Sequence, residues 1–392
     1  MSATNPAILT WARETAGLSL EEGSRKLGLK GFERLGALER GEDEPSRSLL
    51  LKMAGAYRRS LLVFYLREPP KTGDRGQDFR RLPGGKASPY NADLEALLRD
   101  IKGRQTVVKS LLEDTESETL SFVGSATMAD PPFELAKLIT KTLGFSLLEF
   151  RAKKSVELAF AYLREQIEAM GVFVLLLGNL GSHHTNIPVE IFRGFAIADP
   201  IAPFVVLNDQ DAKMAWPFTA LHELTHLWLG TTGISGTSNS ANIEKYCNEV
   251  AGEILLPVAE MFELGNIQRN SLDEAIVELA QFAQQRHVSR SMVAYKLFRS
   301  NLITTARWEA LDARLRKDYL DNKQKVAGKQ TSTGGPNYYV VKRHRLGLAL
   351  LGLVNRSLND GRITYTKAGQ VLGVRPGNVS QLLRPGTTKS DG

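Results

Sequence analysis

The five residues from His222 to His226 restrict the fold of this chain more than any other segment of its sequence. They read His-Glu-Leu-Thr-His, and they lie inside a stretch with helical periodicity from 214 to 229. Because the two histidines are four residues apart, a helix places both rings on one face, where they can reach a single metal ion. Glu223 projects about 100° away from His222, so we expect it to act as a base rather than as a ligand.

The same helix is apolar on the side of the histidines, where Phe218, Leu221 and Leu229 lie. The alternative interpretation of the motif is a pair of histidines on the surface of a packed helix, with no metal. The apolar neighbours favour a buried metal site over that alternative.

A catalytic zinc ion needs a third protein ligand and one position left open for water. The helical stretch at 242–256 offers Glu244, Glu249 and Glu253. On a helical wheel Glu244 lies at the edge of the apolar face, whereas the other two carboxylates lie on the opposite side. We therefore predict that Glu244 joins the two motif histidines as a Zn²⁺ ligand. The alternative is an ordinary carboxylate near a helix N-terminus, favoured by the helix dipole.

The remaining histidines do not form a second metal site in the sequence pattern. His183 and His184 lie in a loop rich in Gly, Ser and Asn, and His287 precedes a helix, so we expect loop or surface roles. A residue that stabilises an oxyanion is also expected in a hydrolytic site. Tyr246 and His287 are both candidates, and the sequence does not choose between them.

Helical patterns dominate the chain, but three short apolar runs at 172–176, 192–197 and 204–207 are bounded by Gly, Pro, Asn or Asp. Such runs are typical of strands. The sequence therefore predicts an α+β fold, predominantly helical, with a small sheet. We expect 204–207 to be an edge strand, able to hold an extended peptide by main-chain hydrogen bonds.

A helix-turn-helix pattern lies near the C-terminus. Gly369 provides the small residue needed where two helices cross, and Gly373 makes the turn four residues later. The predicted DNA contacts are Arg375, Asn378, Ser380 and Gln381 for base edges, with Arg384 for phosphate. The alternative is a helical hairpin that packs on the rest of the protein or on a partner and touches no DNA.

Positive charge is concentrated in the same part of the chain. From Arg307 onward there are 16 Lys and Arg against 6 Asp and Glu, whereas the whole chain has a net charge of +7. A basic tail on a near-neutral body predicts a polyanionic partner, here duplex DNA. A solvated charged surface is the alternative.

Two segments extend the metal motif into a longer pattern. They are Phe218-Thr-Ala-Leu-His-Glu-Leu-Thr-His-Leu-Trp-Leu-Gly230 and Glu244-Lys-Tyr-Cys-Asn-Glu-Val-Ala-Gly-Glu-Ile-Leu-Leu-Pro257. Over 155–300 the chain resembles the ImmA/IrrE family of metallo-endopeptidases. The resemblance implies a zincin-like metallopeptidase core with zinc on both motif histidines and Glu244, and with Glu223 as the catalytic base. It also implies a protein substrate, usually a repressor or another transcriptional regulator.

The N-terminal segment carries a second pattern. Residues 20–29, followed by Glu39-Arg40-Gly41 and Pro45, resemble the XRE (lambda-repressor-like) helix-turn-helix family. Gly28 and Glu39 are eleven residues apart, one more than usual, and Gly31 interrupts the expected recognition helix. The resemblance implies a helix-turn-helix fold. It leaves open whether the module reads DNA bases or binds a protein.

The expected fold is thus a zincin-like core flanked by helix-turn-helix-like modules, in five segments. These are an XRE-like module at 1–66, a linker at 67–90, a metallopeptidase domain at 91–300 with its core at 155–300, a helix and basic linker at 301–337, and a C-terminal helix-turn-helix-like module at 338–392.

The expected function is that of a zinc-dependent endopeptidase that cleaves a repressor-like protein to control gene expression. The alternative is a DNA-binding regulator, or an antitoxin-like protein, whose zinc domain is a sensor or a partner-binding body. Glu223 favours the peptidase, because a pure binder has no need of a base.

The expected location is the cytoplasm, with no membrane partner. A single cysteine, Cys247, suits a reducing compartment. No secretory signal is visible, and the longest apolar run, Leu346 to Val354, is far shorter than the ~20 residues of a membrane helix.

Overall fold

The computed structural model describes residues 4–70, 89–234, 241–327 and 337–384. The chain divides into two compact units, one of residues 1–102 with 179–191 and the other of residues 103–178 with 192–392. Two predicted linkers fall partly outside the described residues, at 71–88 and 328–336, as do the last residues of the C-terminal module, 385–392. The predicted domain boundaries stay a prediction.

The first unit begins with four short helices around one apolar core. They are α1 (Pro6–Glu14), α2 (Leu20–Leu27), α3 (Glu33–Arg40) and α4 (Arg47–Ala56), followed by a 3₁₀ helix at Leu61–Tyr65. The Ser19 hydroxyl caps α2 in a reciprocal capping box with Glu22. α1 and α3 are joined by Arg13, whose guanidinium donates two hydrogen bonds to Glu39, at 2.7 and 2.9 Å. Helix capping and this ion pair fix the arrangement of four helices too short to be stable alone.

Gly31 does not interrupt the expected recognition helix. α2 ends at Leu27, Gly28 caps it in the left-handed conformation with φ 70°, and α3 begins at Glu33. Gly31 lies in the intervening turn, where its carbonyl accepts a hydrogen bond from the Ser24 hydroxyl. The extra residue between Gly28 and Glu39 therefore lengthens the turn rather than breaking a helix.

The second unit holds most of the remaining helices. Those before the C-terminal module are α6 (Pro132–Leu143), α7 (Leu147–Arg151), α8 (Val156–Ala169), α9 (Trp216–Trp228), α10 (Ala241–Leu255), α11 (Leu272–Gln285), α12 (Arg290–Arg299) and α13 (Thr305–Ala327). The residues of α5 (Pro89–Glu113) are divided between the two units. Residues 132–169 thus contain three separate helices, α6, α7 and α8. α13 lies within 301–337, the segment predicted to hold a helix and a basic linker.

Four strands form one sheet in the order β1-β3-β2-β4, with bounds β1 (Phe173–Leu176), β2 (Gly194–Ile197), β3 (Phe204–Leu207) and β4 (Gly233–Ile234). β1 pairs with β3 in parallel, and β2 pairs antiparallel with β3 and with β4. The three predicted strands are present, and each is buried along its length. The prediction that 204–207 is an edge strand is wrong, because β1 and β2 pair with its two sides and leave no edge for a peptide.

The C-terminal helices are α14 (Tyr338–Leu346), α15 (Leu348–Asn359), α16 (Tyr365–Leu372) and α17 (Val379–Leu383), with a 3₁₀ turn at Pro376–Asn378. A methyl group at Gly369 would lie 2.8 Å from the Val374 carbonyl oxygen, so a small residue is required there. Gly373 ends α16 in the left-handed conformation, with φ 61°. The crossing and the turn agree with the helix-turn-helix pattern.

These helices also pack on the body of the second unit, as the alternative interpretation expected. α14 lies beside β1, and α15 lies against α8. The Arg164 guanidinium of α8 donates hydrogen bonds to the main-chain carbonyls of Val174 in β1 and His344 in α14. Glu168, paired with Arg164 at 2.9 Å, accepts hydrogen bonds from the first amides of α15, at Leu348 and Ala349. Packing and DNA binding are not exclusive, since the module has a second, solvent-facing side.

The predicted fold class, α+β and predominantly helical with a small sheet, is confirmed. Among the residues that the structure describes, no helix combines the length and the apolar character needed to cross a membrane.

Candidate metal centre

α9 carries the His-Glu-x-x-His motif through the centre of the second unit. Pro217 lies in its first turn, where the missing N–H costs no hydrogen bond. Every residue of the helix except Phe218 is buried, and His222, Glu223 and His226 are 4%, 0% and 2% exposed. Polar side chains are rarely buried this completely unless they have specific partners.

α10 brings the third side chain to the motif by packing along α9. Glu244 Oε2 lies 3.2 Å from His222 Nε2, and Glu244 Oε1 lies 3.3 Å from His226 Nε2. The two Nε2 atoms are 3.2 Å apart. One ligand atom from each of the three residues thus lies within 4.8 Å of the other two.

These distances fit a tetrahedral metal ion. Zinc–nitrogen bonds of 2.0–2.1 Å place two histidine nitrogens about 3.3 Å apart on a tetrahedral ion, close to the separation seen here. Two imidazoles and one carboxylate are also the donor set of a catalytic zinc site that keeps one position open. Within the described part of the chain, this is the group of three His, Cys, Asp or Glu side chains placed to hold a metal.

Charge in the site is governed by the contacts among the same side chains. Burial would raise the pKa of Glu244, but hydrogen bonds from His222 and His226 lower it to about 2. Burial would likewise lower the pKa of His226, but hydrogen bonds to Cys247 and Glu244 raise it well above its usual value. Both shifts favour positive charge between these side chains, which a metal ion bound in place of the proton would also supply.

Thr231, which the sequence interpretation did not single out, fixes the orientation of His226. Its hydroxyl lies 3.0 Å from His226 Nδ1 and donates to the His226 carbonyl at 3.3 Å. Because the hydroxyl hydrogen is used by the carbonyl, Nδ1 must be the donor in the first contact. With the Nδ1 proton held by Thr231, Nε2 faces the other two ligands, and once its own proton has left it carries the lone pair that a metal ion would bind. A hydroxyl residue just beyond the second histidine is the signal that could have identified it.

The two carboxylates that helix geometry excluded do face away from the site. Glu249 pairs with Arg299 at 2.7 Å, and Glu253 pairs with Lys296 at 2.8 Å, both on α12. They join α10 to α12 on the side opposite the histidines. Only Glu244, of the three, contacts the motif.

Both oxyanion candidates are engaged by main-chain carbonyls. The Tyr246 hydroxyl donates to the Asp130 carbonyl at 2.8 Å, and His287 Nε2 lies 2.8 Å from the Lys153 carbonyl. Neither contact is to the motif side chains. His184 is exposed, and the side chain of His183 lies outside the described residues.

The predicted DNA contacts cluster at one end of the C-terminal module. Arg375, Ser380, Gln381 and Arg384 are exposed, whereas Asn378 is half-buried. The second helix of the pattern, α17, has only five residues, and its Gln381 and Leu382 carbonyls accept hydrogen bonds from Arg343. Ser380 and Gln381 therefore lie on a short, firmly held helix, while Asn378 and Arg384 flank it and Arg375 precedes the 3₁₀ turn.

Two family models match parts of the chain. Residues 178–298 match a peptidase family described as the IrrE N-terminal-like domain, and residues 9–64 match a helix-turn-helix family. Comparisons with curated proteins and with solved structures find no match. The two family matches confirm the predicted resemblance to ImmA/IrrE metallo-endopeptidases with an N-terminal XRE-like module.

Proposed function

We propose that this chain, which carries a helix-turn-helix domain and an IrrE N-terminal-like domain, is a zinc-dependent endopeptidase that cleaves a repressor-like regulatory protein. The observation that supports it is the convergence of His222, His226 and Glu244 beside the fully buried Glu223. The peptidase family match supports the same class of reaction.

In this proposal the two motif histidines and Glu244 hold zinc, and Thr231 keeps His226 in the tautomer that can bind it. A zinc ion bound there supplies Lewis-acid polarisation of the scissile carbonyl and lowers the pKa of water. Glu223 takes the proton from the attacking water and returns it to the leaving amine nitrogen. The buried position of Glu223 keeps bulk water from competing for that proton.

Replacing Glu223 with Gln tests the proposed base. The amide matches the carboxylate in size but cannot take a proton, so we expect normal folding and metal content with at least a 100-fold loss of cleavage, at the low end of about 10²–10⁴ for acid–base catalysis. Glu253→Gln on α10 is the matched control. Cleavage by the Glu223 variant at the wild-type rate would exclude this residue as the base.

The Glu223→Gln variant also tests the proposed substrate class. An inactive enzyme that still binds should retain its target, so we expect an affinity-tagged variant to capture an intact DNA-binding regulator that the wild-type protein cleaves in vitro. The His222→Ala/His226→Ala double variant is the control for capture without the metal site. Cleavage of captured proteins unrelated to regulation would contradict the substrate class while leaving the peptidase intact.

DNA binding by the C-terminal module is a second, compatible proposal, and its charge supports it. Residues 338–384 contain eight Lys and Arg and one acidic residue. Four of the cations, Arg356, Lys367, Arg375 and Arg384, are exposed and form no ion pair with any described residue. Such a surface suits the phosphates of duplex DNA.

Fluorescence anisotropy with duplex DNA measures this binding in the full chain. We expect affinity to fall steeply with salt, because neutralising phosphates releases counterions. Arg375→Ala/Arg384→Ala should weaken binding, whereas Glu116→Ala, a surface change in the second unit, should not. No binding at low salt would favour a module that only packs on the peptidase.

A further inference from the structure

Gly194, the first residue of β2, is buried in the sheet beside α9. Its φ lies outside the left-handed region that requires glycine. Glycine within a strand has no side chain to pack and loses more chain entropy than other residues. Backbone conformation therefore does not explain why a glycine is present.

The space above Gly194 is occupied by the proposed base. A methyl group at this position would lie 2.8 Å from Glu223 Oε1 and 2.9 Å from Glu223 Cγ. It would also lie 2.8 Å from Thr219 Cγ2, one turn earlier on α9. Real methyl groups essentially never approach other atoms this closely, so any larger residue at 194 must displace a neighbour.

We propose that Gly194 is a positioning residue for Glu223: the missing side chain on β2 leaves the space in which the carboxylate lies. This inference deepens the proposed function and rests on it for its catalytic part. Glu223 is fully buried, and one wall of its space is the bare main chain of β2 at Gly194. A fully buried side chain in a close-packed interior has little space in which to change its rotamer. Since a misplacement of about 1 Å can cost ~100-fold in rate, this wall bears directly on catalysis.

The competing explanation is that Gly194 serves only the close packing of β2 against Thr219. Thr219 donates its hydroxyl hydrogen to the Ala215 carbonyl at 3.1 Å within α9, and this hydrogen bond does not involve the proposed metal ligands. Thr219→Ala removes the methyl group that would meet a new side chain at 194. The two explanations therefore predict different outcomes when the variants are combined.

Thermal melting tests the contact without any substrate. We expect Gly194→Ala to lower the melting temperature by several degrees in a chain with Glu223, because the added methyl group presses on a buried side chain. In a Glu223→Ala chain, Gly194→Ala should lower the melting temperature much less. In a Thr219→Ala chain, Gly194→Ala should still lower the melting temperature. The proposal would be overturned if Gly194→Ala lowered the melting temperature equally in the Glu223→Ala and wild-type chains but not in the Thr219→Ala chain. That result would show that Gly194 serves only helix–sheet packing.

Steady-state kinetics on a cleaved substrate test the catalytic part. We expect Gly194→Ala to keep one metal ion per chain, lower kcat about 100-fold and leave KM nearly unchanged. Thr219→Ala should not restore kcat. The control is Gly252→Ala on α10, where an added methyl group meets nothing within 4 Å and should not alter kcat. Full activity in the folded, metal-bound Gly194→Ala variant would contradict the role of Gly194 but not the role of Glu223 as the base. Inactivity of the wild-type protein would instead contradict the proposed function.

Discussion

Glu244 differs from the other carboxylates of α10 in what it faces. It contacts both motif histidines, while Glu249 and Glu253 form ion pairs with cations of α12. The three side chains lie on one helix within ten residues of each other, so position along the sequence does not separate them. Orientation around the helix does.

This difference predicts how the three carboxylates respond to truncation. Glu244→Ala should lose metal by orders of magnitude in affinity while keeping its helix, because one of three protein ligands is gone. Glu249→Ala and Glu253→Ala should retain one metal ion per chain. Elemental analysis and thermal melting of the three variants side by side measure this. Metal retained by Glu244→Ala and lost by Glu253→Ala would show that the ligand assignment is wrong.

Thr231 gives a second prediction at the scale of single residues. Thr231→Val keeps the shape of the side chain but removes the acceptor for His226 Nδ1, so we expect metal affinity to fall about 10–100-fold. Thr231→Ser keeps the hydroxyl and should bind metal nearly as well as the wild type. Competition with a chromophoric chelator measures both affinities. Equal affinities for the Val and Ser variants would mean that the hydroxyl does not orient the ring.

The motif residues and Glu244 could be proposed from the sequence because their arrangement follows from the period of a single helix or of two neighbouring helices. Thr231 and Gly194 could not be recognised in the same way. Thr231 acts through a turn that follows α9, and Gly194 acts across a helix–sheet contact. Neither relation has a fixed spacing in the sequence.

At the scale of elements, strand order is what the sequence left undetermined. The short runs that became β1, β2 and β3 were recognisable from composition, but the pairing of β1 with β3 joins segments separated by β2. That long-range pairing moved β3 from the edge to the interior of the sheet. The second pairing of β2, with the two residues of β4, was too short to be visible as a pattern.

Asp199, in the turn between β2 and β3, is expected to make the stability of the fold depend on pH in acid. Burial would raise the pKa of Asp199, but hydrogen bonds from Lys109 and from the Ala202 and Ile201 amides lower it below its usual value. Because the pKa of Asp199 is lower in the folded protein than in the unfolded chain, the ionised carboxylate stabilises the fold above about pH 4. This stabilisation is lost as pH falls, since the unfolded chain takes up the proton first.

We therefore expect Asp199→Asn to lower the free energy of unfolding at pH 7 by about 1–2 kcal/mol. The difference from the wild type should shrink as pH falls from 5 to 3. Urea unfolding of the metal-free protein at several pH values measures this, with Asp114→Asn, an exposed carboxylate, as the control. A difference that stays constant with pH would contradict an ionised Asp199 as its source.

At the scale of the whole molecule, the C-terminal helices of the second unit depend on two buried charges. Burial lowers the pKa of Arg164 and raises that of Glu168, and each side chain is only 8% exposed. Arg164 contacts the main chain of β1 and α14, and Glu168 contacts the first amides of α15. The pair therefore joins segments that are nearly two hundred residues apart in the sequence.

Glu168→Ala should destabilise the protein by about 3–5 kcal/mol, because it leaves a buried guanidinium without its carboxylate. We expect hydrogen exchange to increase most in α14 and α15. Glu165→Ala, an exposed carboxylate on the same helix, is the matched control and should change little. If the Glu168→Ala variant keeps the wild-type free energy of unfolding, and its hydrogen exchange rises no more in α14 and α15 than elsewhere, the pair does not anchor these helices.

The position of α14 beside β1 has a consequence for synthesis of the protein. β1 is made early, yet the helix that lies beside it comes about 160 residues later, which at about 5–20 residues per second is a delay of roughly 10–30 s. During that delay the outer edge of β1 has no cover from α14, and only the Val174 carbonyl already has its partner, the Arg164 guanidinium of α8. Unpaired strand edges promote association between nascent chains. Because β1 has only four residues, it offers such an association only a short template. The risk of association between nascent chains before α14 is made is therefore small.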